Sequence, residues 1–258
     1  QLQGEPLKIS CLSKIVIAEQ TNDDCRFAAS LLKEKLREDY SVDIPIVPFK
    51  EGMELDHSIA MGNYGDIKEI DKEFPGMPKA EGYNLKTGVR CSYINAVDRL
   101  GLVLAVETLL QLYKAGAGQC VIENYPRMVF RGIHIGLPPR EDIPFFKRLV
   151  RYLLVPMGYN TVFLEFAGGM RYSRHPEINR TWEKFNQEDT KTGRGYRTGH
   201  GDMVAGGSCL EQEEVADLVA YVRSYGMDVI PEVQSLSHVQ YITCAHPEIG
   251  EKDDHSGR

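Results

Sequence analysis

The sequence predicts an α/β protein with two regions, because strand-like and helix-like patterns alternate along most of its 258 residues. Residues 1–124 form the first region. From residue 125 onward the pattern becomes strand, helix, strand, helix, strand, which is typical of parallel β/α units. The composition, with 42% hydrophobic and 26% charged residues, is that of an ordinary globular protein that can bury a substantial core.

The first region begins with an apolar run at residues 15–18, which predicts a strand. Capping residues at 21–24 then predict the start of a helix. A second helix is expected beyond Asn95, and Gly116 ends it. Further strands are expected at residues 44–47, 59–61 and 83–89.

In the second region, strands are expected at residues 129–135, 160–166 and 228–233. Asp142 and Pro144 predict the start of the helix after the first of these strands. A long polar loop is expected at residues 167–207, and Ser208 and Glu211 have the spacing of a capping box for the next helix. The apolar face of the first helix is expected to consist of Phe146, Leu149, Val150 and Leu153.

Crossovers between parallel strands are right-handed, so these three strands either curl toward a barrel or lie in an open sheet. In both architectures ligands bind at the carboxyl ends of the strands. The side chains at or near these strands are polar or ionisable: Arg131, His134, Glu165, Arg171, Tyr172, Glu232, Gln234 and His238. Such groups suit a sugar, whose hydroxyls need charged hydrogen-bond partners and whose ring face needs an aromatic platform.

Several classes of function are excluded by charge and composition. A net charge of -7 and a pI near 5.6 provide no basic field for nucleic acid or for an anionic membrane surface. No apolar stretch approaches the ~20 residues that span a bilayer. The chain begins at Gln1 without a basic segment followed by an apolar one, so any targeting peptide is expected to have been removed.

The cysteines and histidines predict neither a metal site nor a cofactor. The six cysteines contain no CxxC pair, and most are expected to be buried free thiols. The histidines lack the spacing of a zinc site: His134, His175, His200 and His246. No cofactor is therefore predicted.

The chain resembles family 20 glycoside hydrolases, the β-N-acetylhexosaminidases, in an ordered series of motifs. Residues 125–127, Tyr-Pro-Arg, followed by Phe-Arg-Gly at 130–132, are similar to the segment that leads into the first barrel strand of this family. Residues 229–238, with His238 at their end, are similar to its Ile-Pro-Glu-Ile-Asp-x-Pro-Gly-His segment. Residues 81–113 resemble the end of the small α/β domain that precedes the barrel. The resemblance covers most of the chain.

The resemblance implies a small α/β domain at 1–124, followed at 125–258 by the first part of a (β/α)8 (TIM) barrel. The 134 residues from Tyr125 onward are fewer than the ~250 of a complete barrel. The family's Asp-Asp-Gln-Gly-Trp run is replaced by Gly168-Gly169-Met170-Arg171-Tyr172, and no Asp-Glu dipeptide occurs in the chain. The chain is therefore expected to be the N-terminal part of a longer, divergent enzyme.

The activity that the resemblance implies is exo-acting, substrate-assisted hydrolysis with retention, in which the sugar's own acetamido oxygen attacks the anomeric carbon. The catalytic acid and the carboxylate that orients the amide are expected beyond Arg258, so that no catalytic residue lies within the chain. Arg131 is expected to bind the sugar's outer hydroxyls, and Tyr172, with Trp182, to form a platform. His238 is expected to help position the acid, and Glu165 to replace the missing supporting charge. The partner would be a terminal N-acetylhexosamine, and the compartment periplasmic or extracellular.

Each of these residues also has a structural interpretation. Arg131 and Glu165 could balance other charges, His238 could bond to backbone, and the aromatic residues could pack the long loop. A non-catalytic carbohydrate-binding or scaffolding relative that lost the acid is the alternative function. An unrelated α/β hydrolase is disfavoured because the sequence contains no Gly-x-Ser-x-Gly motif.

Overall fold

The computed structural model describes residues 8–89, 91–191, 201–204 and 207–252. The chain divides into two compact units between Val129 and Phe130. In the described ranges, none of the helices combines the length and apolar character that a membrane crossing requires.

The first unit is a six-stranded sheet with helices. Its strands are β1 (Lys14–Ile17), β2 (Ile46–Pro48), β3 (Ser58–Asn63), β4 (Tyr83–Thr87), β5 (Cys91–Ala96) and β6 (Cys120–Asn124). Its helices are α1 (Asp23–Tyr40), α2 (Lys68–Asp71) and α3 (Arg99–Lys114). The strand order is β2-β1-β3-β5-β4-β6, in which β4 runs antiparallel to both of its neighbours and the other pairs are parallel.

The start of α1 and the end of α3 lie where the sequence predicts them. The Asn22 side chain accepts a hydrogen bond from the Cys25 backbone N–H at 3.1 Å and caps α1. Gly116, with φ +62°, follows α3 and takes the left-handed conformation that ends a helix at low cost. Strands β5 and β6 were not expected from the sequence.

The second unit contains three β/α repeats around a parallel sheet of order β7-β8-β9. Its strands are β7 (Gly132–Gly136), β8 (Thr161–Glu165) and β9 (Asp228–Glu232), and its helices are α4 (Ile143–Leu149), α5 (Pro176–Lys191), α6 (Gln212–Ser224) and α7 (Gln240–Thr243). The predicted succession of parallel β/α units is confirmed. Strand β7 begins at Gly132 rather than at residue 129 because its partner β8 begins at Thr161, the residue paired with Gly132.

Three local predictions in this unit are wrong. The predicted loop at 167–207 contains α5, whose buried face follows from apolar residues at helical spacing, Ile178 and Trp182. The capping box lies three residues later than predicted, with Glu211 as N-cap and Glu214 as its partner. Leu153 is 47% exposed because α4 continues as a π-helix over Val150–Leu154, which rotates the apolar face.

The cysteines are free thiols, as predicted. Only Cys25 and Cys209 are buried, however, and the other four are partly exposed. Burial raises the pKa of Cys25 to about 11 and that of Cys209 to about 12, so both thiols stay protonated.

Candidate functional site

The carboxyl ends of the three parallel strands lie side by side in register. Gly136 of β7 pairs with Glu165 of β8, and Glu165 pairs with Glu232 of β9. Residues paired in this way project from the same face of a sheet, and so does a residue two positions earlier on the same strand. His134 therefore shares a face with the two glutamates. Val162 and Leu164 alternate with Glu165 along β8 and are fully buried.

The imidazole of His134 lies between the two carboxylates. Its Nε2 is 2.9 Å from Glu232 Oε2 and 3.5 Å from Glu165 Oε2. Because both neighbours of this nitrogen are hydrogen-bond acceptors, Nε2 carries the hydrogen. Glu232 Oε1 also accepts a bond from the Gln234 side chain at 3.0 Å. These contacts hold two carboxylates at the ends of adjacent strands in a fixed orientation.

Exposure differs sharply among the members of this carboxylate–histidine cluster, which comprises His134, Glu165 and Glu232. The Glu165 side chain is only 4% exposed, whereas His134 is 51% and Glu232 is 35% exposed. Glu232 and His134 are thus accessible to a ligand, and Glu165 supports them from below the surface. Carboxylate oxygens accept hydrogen bonds from hydroxyl groups, so the cluster can bind a polyhydroxylated ligand.

Tyr172 is anchored into the segment that follows β8. Its hydroxyl donates to the Ala167 carbonyl, and its backbone N–H donates to Asn179 Oδ1 at 2.7 Å. Its ring lies 6.3 Å from that of Tyr241, centroid to centroid, at a tilt of 31°. Burial raises the pKa of both phenols, which stay neutral donors. Trp182 is 1% exposed, so its ring packs the core of this segment.

The structure places Arg131 at the opposite end of the strands from the cluster. Arg131 precedes the first residue of β7, and its backbone carbonyl accepts from Asn160 N–H at 3.0 Å. Its Nε donates to the Gly158 carbonyl at 2.6 Å. These contacts join Arg131 to the segment just before β8, at the amino ends of the strands. Its role in sugar binding stays a prediction, and the position favours the structural interpretation.

His238 lies exposed in the loop after β9, with a left-handed backbone at φ +54°. This loop also carries Leu236, which is 98% exposed. Among the described residues, no group of three or more His, Cys, Asp or Glu side chains could hold a metal ion. His200 lies outside the described residues.

The sequence analysis did not single out Arg140, which lies at the carboxyl ends of these strands. Arg140 follows β7 and makes a two-pronged ion pair with Glu214, from Nε to Oε1 and from Nη2 to Oε2, both at 2.8 Å. It also donates to the Cys209 carbonyl at 2.9 Å and to the Ser208 hydroxyl. The guanidinium lowers the pKa of Glu214 to about 2. Arg140 thereby ties the segment after β7 to the start of α6.

A cavity of about 380 Å³ lies beside this end of β7 and β8. Glu165 and Asp142 are its carboxylate-bearing residues, and Met203 forms part of its wall. The remaining wall is mostly apolar: Ile135, Leu137, Pro138, Pro139, Phe145, Phe146 and Leu149. The second unit thus offers an apolar recess next to its carboxylates, a combination common in small-molecule sites.

Comparison with known proteins gives a curated relative and many similar structures. A β-hexosaminidase of Akkermansia muciniphila is 27% identical over 186 residues, which is 69% of this chain and 36% of the relative. A family 20 exo-β-N-acetylglucosaminidase from Vibrio harveyi, crystallised with N-acetylglucosamine, matches with a TM-score of 0.69, 18% identity, and coverage of 99% of this chain and 38% of the enzyme. The resemblance to family 20 glycoside hydrolases is confirmed.

Other family 20 structures agree with this comparison. The β-N-acetylhexosaminidase of Streptomyces coelicolor A3(2) matches with a TM-score of 0.71 at 18% identity, over 97% of this chain and 47% of that enzyme. The fold is therefore the predicted one, a small α/β domain followed by the first part of a (β/α)8 barrel. The chain spans less than half the length of these relatives. No model of a protein family matches the chain.

Proposed function

We propose that this chain is part of an exo-acting glycoside hydrolase of the β-N-acetylhexosaminidase type, and that its substrate is a terminal N-acetylhexosamine. The observation that carries the proposal is the carboxylate–histidine cluster at the carboxyl ends of three β/α units whose fold matches family 20 enzymes. The name of the curated relative, β-hexosaminidase, and the N-acetylglucosamine bound to the Vibrio enzyme support the class of substrate.

In this proposal the chain contributes residues that bind the sugar, and the catalytic acid lies elsewhere. Glu232 is accessible and offers a carboxylate that accepts hydrogen bonds from sugar hydroxyls. His134 is accessible too, and its imidazole is held in place by Glu165. Glu165 and His238 stay the proposed supporting residues, and Tyr172 the proposed aromatic contact. The catalytic acid and the amide-orienting carboxylate are proposed to lie outside these 258 residues, because the sequence contains no Asp-Glu dipeptide. The resemblance to family 20 glycoside hydrolases supports a periplasmic or extracellular location.

The test is hydrolysis of 4-nitrophenyl N-acetyl-β-glucosaminide by the protein from the complete gene and by the 258-residue chain. We expect turnover by the former and none by the latter. In the complete protein, Glu232→Gln should lower kcat/KM by about 10- to 100-fold, which is the loss of one hydrogen bond to a charged group. Glu248→Gln, an exposed change in the same unit, should leave it unchanged.

Two results would overturn the proposal. Sugar binding without turnover by the complete protein would favour the non-catalytic alternative. Turnover by the 258-residue chain would place the acid among its own residues, with Glu165 and Glu232 the first to examine.

A further inference from the structure

The first unit contains a cavity of about 350 Å³ that the proposed hydrolysis does not use. Five chain segments line it, including the end of β4, the start of β5 and the residue before β6. Its volume lies near the lower end of the range of ligand pockets, ~300–1,000 Å³, so it suits one small ligand. Strand pairing holds the backbone around the cavity in place, since Thr87 of β4 pairs with Ser92 of β5.

An ion pair forms part of the cavity lining. Lys86 Nζ lies 2.5 Å from Glu73 Oε2, and the two side chains are 40% and 32% exposed. An ammonium group has three donors and a carboxylate has several lone pairs, so each partner keeps capacity for a ligand after the pair has formed. Because the two charges balance each other, this part of the lining offers donors and acceptors without a net charge.

Neutral hydrogen-bonding groups form another part of the lining. The Tyr93 hydroxyl accepts from the Cys91 thiol at 3.5 Å, and its own hydrogen has no acceptor among the described residues. Burial raises the pKa of Tyr93, so the phenol remains a donor. Gln119 is exposed, and its amide has no hydrogen-bond partner in the described part of the chain. The amide supplies both a donor and an acceptor.

This lining excludes several kinds of ligand. Among the described residues of the lining, a phosphate or carboxylate would meet one cation, Lys86, which already has a partner, and two carboxylates, Glu73 and Asp56. No metal-binding group of three or more side chains occurs in the described ranges. A lipid would find little apolar surface, since Val89 is the one aliphatic side chain among the described residues of the lining. Mixed neutral donors and acceptors around a tyrosine are the chemistry that recognises a polyol.

We propose that this cavity is a second sugar-binding site, which takes one uncharged pyranose ring. Tyr93 and Gln119 bind ring hydroxyls, and the Lys86–Glu73 pair provides a charge-assisted donor and acceptor. The site lies wholly in the first unit, so its occupancy is independent of the carboxylate–histidine cluster and of any hydrolysis. An enzyme that trims a sugar polymer would use such a site to hold another unit of the same polymer.

The test uses Cys91, which lines the cavity and is partly exposed, as a reporter. The 258-residue chain is treated with iodoacetamide in the presence of increasing N-acetylglucosamine, and alkylation is followed for each cysteine by peptide mass spectrometry. We expect the rate at Cys91 to fall about two-fold when the sugar concentration equals Kd. The rate at Cys11, a partly exposed cysteine of the same unit outside the cavity, should not change.

Variants assign the protection to individual groups. Tyr93→Phe and Gln119→Ala should each weaken the protection of Cys91 by sugar about five-fold or more, the loss of one hydrogen bond. Tyr64→Phe, which removes the hydroxyl of an exposed tyrosine elsewhere in the unit, should leave it unchanged. Glu165→Gln should also leave it unchanged, so a failure of the hydrolase proposal would not alter this result.

Three outcomes would overturn the proposal. The first is no protection of Cys91, and the second is equal protection of Cys91 and Cys11. The third is stronger protection by glucosamine, whose ammonium group would identify the cavity as a cation site built on Asp56 and Glu73.

Discussion

The sheets of the two units contain similar strands but use their faces differently. In β3 of the first unit, five of six residues are buried, and helices or loops cover both faces. In β9 of the second unit no residue is fully buried, and Ile230 is 41% exposed. The first sheet is thus enclosed by its own core, whereas the second leaves one face of its strands open at the position of His134 and Glu232. Among the described residues, β3 is therefore far more buried than β9.

The two units also differ in how exposed their ion pairs are. The first unit buries an ion pair, Lys35 Nζ with Glu107 Oε1 at 2.5 Å, between α1 and α3, with side chains 6% and 8% exposed. In the second unit, the pair of Arg140 with Glu214 is far more exposed, with side chains 42% and 30% exposed. When one partner of a buried pair is removed, no solvent compensates the charge that remains. The change therefore lowers the free energy of unfolding far more than it does at the surface.

The largest effect is therefore expected at Lys35. Lys35→Met should lower the free energy of unfolding by about 3–5 kcal/mol, because it leaves Glu107 charged in the core. The double variant Lys35→Met with Glu107→Leu should recover most of this loss, since two apolar side chains then pack together. Urea unfolding followed by circular dichroism measures both. Equal losses in the single and double variants would show that packing, and not the unpaired charge, decides the cost.

Matched isoleucines in β3 and β9 sharpen the comparison. Ile59→Ala should cost about 2–5 kcal/mol, because Ile59 is fully buried and the change leaves a cavity. Ile230→Ala should cost less than about 1 kcal/mol, because its side chain is already partly in water. Fluorescence of Trp182, the single tryptophan of the chain, follows the second unit, and circular dichroism follows both. Similar costs at the two positions would contradict the assignment of an open face to β9.

The variant Arg131→Lys tests whether Arg131 has a structural role at the amino ends of these strands. Arg131→Lys removes the Nε hydrogen bond to Gly158 and should lower the stability of the second unit by about 1 kcal/mol. In the complete protein it should leave kcat/KM close to that of the wild type, because Arg131 lies at the other end of the strands from Glu232. A strong loss of kcat/KM with unchanged unfolding would restore the sugar-binding role.

The smallest effect is expected from a surface cluster around His246. Its Nδ1 lies 3.1 Å from Glu248 Oε1 and its Nε2 lies 3.2 Å from Glu177 Oε1, which links the start of α5 to the segment after α7. The hydrogen bonds to Glu248 and then Glu177 raise the pKa of His246 above its ordinary 6.5. Bonds from their own backbone amides, and then from the histidines, lower the pKa of both carboxyls below their ordinary 4.5.

The sign of the pH dependence follows from these shifts. The contribution of His246 is complete below pH 6.5 and is lost as the pH rises through its raised pKa. The contribution of the carboxylates is complete above pH 4.5 and is lost as the pH falls through their lowered pKa values. The melting temperature of the wild type, followed at Trp182, should exceed that of His246→Gln at about pH 5.5 and match it at about pH 8.5. A difference independent of pH would show that the cluster does not titrate as a unit.

Prediction from sequence succeeded where the signal was local and failed where it depended on packing. The cap at Asn22, the stop at Gly116 and the strand at Thr161–Glu165 each follow from neighbouring residues. Helix α5 was missed because its polar composition resembles a loop, although Ile178 and Trp182 have helical spacing. The error at Leu153 arose because a π-turn changed the period of the helix, and no residue type marks such a turn.

The site shows the same division. The sequence by itself determined that polar residues follow parallel strands, because side-chain alternation and the order of strands and helices can be read from residue types. It thereby predicted a ligand site at the end bearing Glu165 and Glu232. The tertiary structure alone decided that His134 bridges these carboxylates and that Arg131 lies at the opposite end. Register between strands is set by long-range pairing and by the packing of one face, so a shift of a single residue would have turned His134 to the other side of the sheet.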